Sequence, residues 1–233
     1  MVERLREDAR GKTSLSGRML TAALLVTSLS ACVTIDDISR ANLAFDAAWQ
    51  QRNEEILVQE GVRAYAISPD VALLAIADAM RKLEIVVETQ DHARGVVIGR
   101  SNAPRPLSDV EWEQAADMER ANARRVMARE IGPLTAAIAD FETRGFQVLT
   151  AGVATKGATG TIVSFGFRLV RSGPTLGAYW PRHTVPHAVA LGVRKAWAAF
   201  DRSLVELGVQ PEQVPLVDRR GAVKHHASAA WKD

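Results

Sequence analysis

The stretch TIVSFGFRLVR, residues 161–171, alternates residue by residue. Val163, Phe165, Phe167 and Leu169 fall on one face of a strand, and Ser164, Gly166 and Arg168 on the other. One apolar face demands neighbouring strands beside it and an apolar layer above it. Two segments carry stripes that fit such a layer. Over residues 69–83, Leu73, Ile76, Ala77, Met80 and Leu83 recur at helical spacing. Ser68 can cap that helix, Pro69 suits its first position, and Asp70 places a negative charge at the positive end of the dipole. Over 185–207 the stripe is Val189, Val193, Ala196, Trp197, Phe200, Leu204 and Leu207. Pro186 is tolerated in its first turn, and Gly208 ends it.

The remaining elements fit between these. VRAYAI, residues 62–67, reads as a short strand. EIVVETQ and VVIGR flank the turn-like DHARG, which predicts a β-hairpin. FQVLTAGVA, residues 146–154, pairs with 161–171 through the glycine-bearing TKGATG. Ser108 and Glu111 form a capping box that opens a heavily charged helix over about 109–130. Its apolar side is thin, so it reads as a solvated helix lying across a domain edge, with a partner-binding helix as the alternative. Gly132-Pro133 breaks it, and a shorter helix is expected over 134–143. An earlier helix is expected from Asn42 to Val58, with Phe45, Trp49 and Ile56 on one side.

Local hairpins favour an antiparallel sheet. The expected fold is therefore α+β, a two-layer sandwich of an antiparallel sheet with helices on one face, over residues 61–210. Residues 32–60 read as a tether and N-terminal helix. Residues 211–233 are charged and thinly apolar, and read as a mobile tail. The element order is similar to that of helix-grip domains, such as those of the lipoprotein BamC in the outer-membrane β-barrel assembly machinery. This resemblance implies a fold and no activity.

The N-terminus constrains location. Arg4, Arg6, Arg10, Lys12 and Arg18 outnumber Glu3, Glu7 and Asp8, and the uncharged run from Met19 to Ala31 follows. A positive region followed by a short apolar one is the pattern of an export signal, too short to span a bilayer. The run ends at Leu29-Ser30-Ala31-Cys32, and Cys32 is the only cysteine. This resembles the bacterial lipobox. The resemblance implies removal of residues 1–31 and acylation of Cys32, with stable membrane anchoring by more than one acyl chain. In Gram-negative lipoproteins an Asp after the Cys favours inner-membrane retention. Val33 stands there, which implies the outer membrane. The domain is separately expected on the periplasmic face. A single cysteine leaves none for an intramolecular disulfide, so the fold must stand on its core.

Composition narrows the partners. Apolar residues make up 47% and charged residues 24%, with a net charge of +2. No basic block accompanies the slight excess, which argues against nucleic acid. Chemistry is sparse. His183 and His187 are spaced i, i+4, but no acid or cysteine lies between Arg171 and Asp201, so no metal is expected. His225 and His226 fall in the expected tail, and His92 in a turn. Ser164 sits in a strand with no recognisable base. Nucleophile-elbow and phosphate-loop motifs are absent, so neither catalytic residues nor a cofactor are expected. Tyr179, Trp180, Arg182 and His183 lie together between two prolines, the residue types of an interaction patch. They could equally close one end of the core. The expectation is a non-catalytic lipoprotein, an accessory or scaffold of an envelope complex with a protein partner. The alternative is a periplasm-facing binding module for peptidoglycan or an apolar small ligand held between helix and sheet. An enzyme would need an acid/base constellation assembled from distant positions.

Overall fold

A computed structural model of the chain describes residues 34–133, 136, 146–171 and 185–231. Helix α1, Ile35–Glu60, opens on a reciprocal cap. Thr34 Oγ1 accepts from the Asp37 backbone N–H, and the Asp37 carboxylate accepts from Thr34 N–H and Oγ1–H at 2.9 and 2.8 Å. The cap draws the helix start several residues ahead of the expected Asn42. The tether over the 30s is thereby corrected: among the described residues, regular structure begins at Ile35.

Strand β1, Val62–Tyr65, leads to α2, Pro69–Lys82. As expected, Ser68 Oγ accepts from Val71 N–H, and Pro69 occupies the first turn. Strands β2, Val86–Asp91, and β3, Val96–Asn102, form the hairpin, with Gly95 at φ +66° in the turn. Helix α3, Asp109–Ile131, carries the expected capping box. Strands β4, Phe146–Lys156, and β5, Thr161–Arg171, form a second hairpin at the centre of the sheet. Helix α4, Pro186–Glu206, strand β6, Gln213–Val214, and helix α5, Arg219–Ala230, complete the order. The shorter helix expected over 134–143 lies outside the described residues, Ala136 excepted.

The six strands pair antiparallel in the order β2-β3-β4-β5-β1-β6. The structure is thus an α+β sandwich of an antiparallel sheet and helices. Phe165 and Val163 of β5 and Tyr65 of β1 meet α2 and α4 in the main core. Tyr65, Phe165, Trp197 and Phe200 interlock there, with ring centroids between 4.9 and 6.0 Å apart. Two polar atoms of this cluster find partners at its rim. Trp197 Nε1 donates to the Glu60 carbonyl at 2.7 Å, and Tyr65 Oη donates to Asp201 at 2.8 Å. Burial pushes the Tyr65 phenol pKa up. Gly152 of β4 lies directly under Ile76 of α2, where any Cβ would collide with that side chain.

Two expectations are corrected. The charged helix α3 does not merely skirt an edge. Its Trp112, Ala115, Ala116 and Ala123 pack with Phe45 and Trp49 of α1 and with Phe146, Val148 and Leu169 of the sheet. Alanines are small enough that a thin apolar stripe still closes a helix–helix seam. The second correction concerns the tail. Residues 213–214 extend the sheet beside β1, and α5 lies on the face opposite the other helices. Asp218 caps α5 by accepting from Gly221 N–H at 2.8 Å, and Arg94 of the hairpin donates to the Ala229 carbonyl. The polar, small-residue face of β5 is the seat of this helix. Gly166 leaves the room that the His226 ring fills.

Candidate functional site

Two polar constellations stand out among the described residues. The first joins α3, α4 and α1. Glu119 lies on the same stripe of α3 as Ala115, Ala116 and Ala123, and is only 5% exposed. Its Oε2 accepts from Asn122 Nδ2 at 3.2 Å, and its Oε1 lies 3.3 Å from His187 Nδ1. Pro186 starts α4, which sets His187 in the first turn and aims it across at α3. His187 also borders a groove of about 150 Å³ lined by Arg52, Glu55, Gln59, Glu60, Ala190 and Arg194.

Ion pairs run along both sides of this seam. Arg194 Nε donates to Glu60 at 2.9 Å, and Lys195 Nζ donates to Glu111 at 2.6 Å. Lys195 and the Ser108 backbone N–H hold the Glu111 carboxyl down to about 2. Glu60 in turn raises the Arg194 guanidinium. A carboxylate that orients an imidazole is half of a general-base arrangement. Here the groove lining holds no hydroxyl or thiol, and its volume falls below the roughly 300–1,000 Å³ of small-molecule pockets. The geometry suits a latch that ties three helices together through charge.

The second constellation is Ser164 and His226. Ser164 Oγ lies 2.8 Å from His226 Nδ1, and both residues are buried, at 4% and 3% exposure. The sequence offered Ser164 no base, and the structure supplies an imidazole from the segment expected to be mobile. Nε2 has no hydrogen-bond partner among the described residues and sits over Gly166, with Trp231 packed edge-on at 6.0 Å. Desolvation, with a smaller contribution from His225, lowers the His226 pKa to about 4. The imidazole is therefore neutral at ordinary pH. The pair faces the interior between α5 and the sheet, which suits a buried hydrogen bond that registers the helix.

The other sequence expectations fall as follows. Cys32, Tyr179, Trp180, Arg182 and His183 lie outside the described residues. His187 meets Glu119 as described. His92 is exposed in its turn, 3.5 Å from Asp70. Among the described residues no three His, Cys, Asp or Glu side chains group as metal ligands would, and no helix is long and apolar enough to cross a membrane. Glu119 and His226 were missed as site residues. A signal existed for Glu119, which falls at the i+3 and i+4 positions from Ala116 and Ala115 on the buried stripe. The space between α2, α4 and the sheet, expected to hold an apolar ligand under the alternative reading, is filled by the aromatic cluster. Comparison of the chain with protein-family models, with curated proteins and with solved structures returns no match.

Proposed function

We propose that this chain is a lipid-anchored protein of the bacterial envelope. It is attached through Cys32 and presents a non-catalytic domain as an accessory surface of an envelope complex. The observation that carries the reading is the junction at residues 29–37. Leu29-Ser30-Ala31-Cys32 resembles a lipobox, and Thr34 caps helix α1 two residues later. An export signal would end where the folded domain starts. The packing favours a scaffold over a ligand-binding module, because the interior between helices and sheet is occupied by side chains. The seams of ion pairs at α1, α3 and α4 hold a fixed outer surface against which a partner protein could register. Val33 after the Cys fits the outer membrane.

The test is Cys32→Ser in the full chain. The wild-type protein is expected in the membrane fraction, labelled by radioactive palmitate. The variant is expected to lose the label and the mature processing. Unchanged processing and a mass without acyl groups on the wild-type protein would remove the anchor. Purification from gently solubilised membranes then separates the two roles. A near-stoichiometric protein partner supports the scaffold, and bound glycan supports the binding module.

A further inference from the structure

The lipid on Cys32, if the reading above holds, constrains the attitude of the domain as well as its address. Two residues of chain reach about 7 Å at full extension. The start of α1 is therefore held at the depth of the lipid headgroups. Helix α3 runs antiparallel to α1. Ala41, near the start of α1, clusters with Ile131 at the end of α3, together with Met127 and Ala128. The C-terminal half of α3 is thus brought to the same end of the molecule. Its outer surface carries Arg124, Arg125 and Arg129, all exposed, with Arg120 half-buried beside them.

Not all of these arginines are paired. Arg120 pairs with Asp117, and Arg125 donates to Asn122. Arg124 and Arg129 have no carboxylate partner among the described residues. Among the described residues the acids of the first turns of α1 and the C-terminal half of α3 are Asp36, Asp37 and the buried Asp46 of α1, and Asp117, the buried Glu119 and Glu130 of α3. Asp37 is engaged by Thr34 and Arg40, and the Thr34 hydrogen bonds hold its carboxyl below the usual range. Near the same end of α1, Ile38 and Leu43 are exposed, at 43% and 61%. Exposed apolar side chains and exposed arginines at one end of a molecule are what a membrane interface accepts, the apolar groups among the upper acyl chains and the guanidinium groups on phosphate.

We propose that the face formed by Arg124, Arg125 and Arg129 docks on anionic lipid headgroups of the leaflet that holds the Cys32 acyl chains. The domain then lies against the bilayer on α3 and the start of α1. The β2–β3 turn points away, because it sits at the Val96/Val153 end of the strands while α3 packs at the Phe146/Leu169 end.

Lipidated Cys32 leaves an introduced cysteine as the only free thiol, which permits site-specific labelling of the full chain. A fluorophore is placed at Ala121→Cys on the outer face of α3, and in a second protein at Ala93→Cys in the β2–β3 turn. Both are reconstituted in phosphatidylcholine vesicles with and without phosphatidylglycerol, each containing a headgroup-linked quencher. The expected result is several-fold stronger quenching at position 121 than at 93, deeper with phosphatidylglycerol and relieved by high salt. Replacing Arg124, Arg125 and Arg129 together by Glu should abolish the difference, and replacing all three by Lys should keep most of it. Circular dichroism of each variant establishes that it folds. Equal quenching at the two positions in protein that floats with the vesicles would overturn the docking face and leave the anchor intact. Protein that fails to float, with no acyl mass on Cys32, would overturn the anchor and the docking face with it.

Discussion

His226 shows how one side chain can decide the placement of a helix. Its ring fills the slot above Gly166 and its Nδ1 meets Ser164, so α5 can seat in one register only. The seat is sensitive to acid. The folded His226 pKa is about 4, below the 6.5 of an exposed imidazole. The unfolded chain therefore binds this proton more readily than the folded one. Stability is intact above about 6.5 and falls as the pH drops toward 4. The gap corresponds to roughly 3 kcal/mol at most. We expect the urea midpoint of the wild-type protein to fall over this window, and His226→Gln, which keeps a polar partner for Ser164, to remove much of the slope. Parallel curves for the two proteins would show that His226 stays solvated. None of this was legible in the sequence. A histidine among charged residues near a terminus reads as solvent-exposed, and the slot that buries it is made by Ser164 and Gly166 far along the chain.

At the level of elements, local signals were reliable where the chemistry is local. The caps at Ser68 and Ser108, the turn at Gly95 and the alternation of residues 161–171 all appear as read. The start of α1 and the packing of α3 were misread for different reasons. The start of α1 is set by the Thr34 cap, and the alanine stripe of α3 gains meaning only against Phe45 and Trp49 of α1. Glu111 is where α3 is tied down twice. It closes the capping box with Ser108 and accepts from Lys195 of α4. Glu111→Ala should cost about 1–2 kcal/mol, the usual range for a lost cap with an exposed ion pair. Chemical denaturation would measure it. The same carboxyl, held down to about 2, keeps its contribution above about pH 4.5 and gives it up as the pH falls through 2. A substitution with no effect on the midpoint would mean that α3 is held by its alanine seam alone.

On the scale of the whole molecule, the sheet carries helices on both faces, and the second covering comes from the chain's last segment. The sandwich was legible because its main stripes are strong. The second layer was not, because a face of Ser, Gly and Arg reads as wet until a helix is found on it. Strand order has a further effect. Strand β1 is among the first elements made, yet it lies between β5 and β6, with Val62 opposite Ser164 and Ala64 opposite Val214. Both neighbours are made much later, β5 over Thr161–Arg171 and β6 at Gln213–Val214. The local β2–β3 and β4–β5 hairpins need no late partner, but β1 waits on contacts of long sequence separation. The ladder that joins β1 to the rest of the sheet is therefore among the last to form, and any change that delays β5 or β6 leaves the β1 edge unpaired for longer.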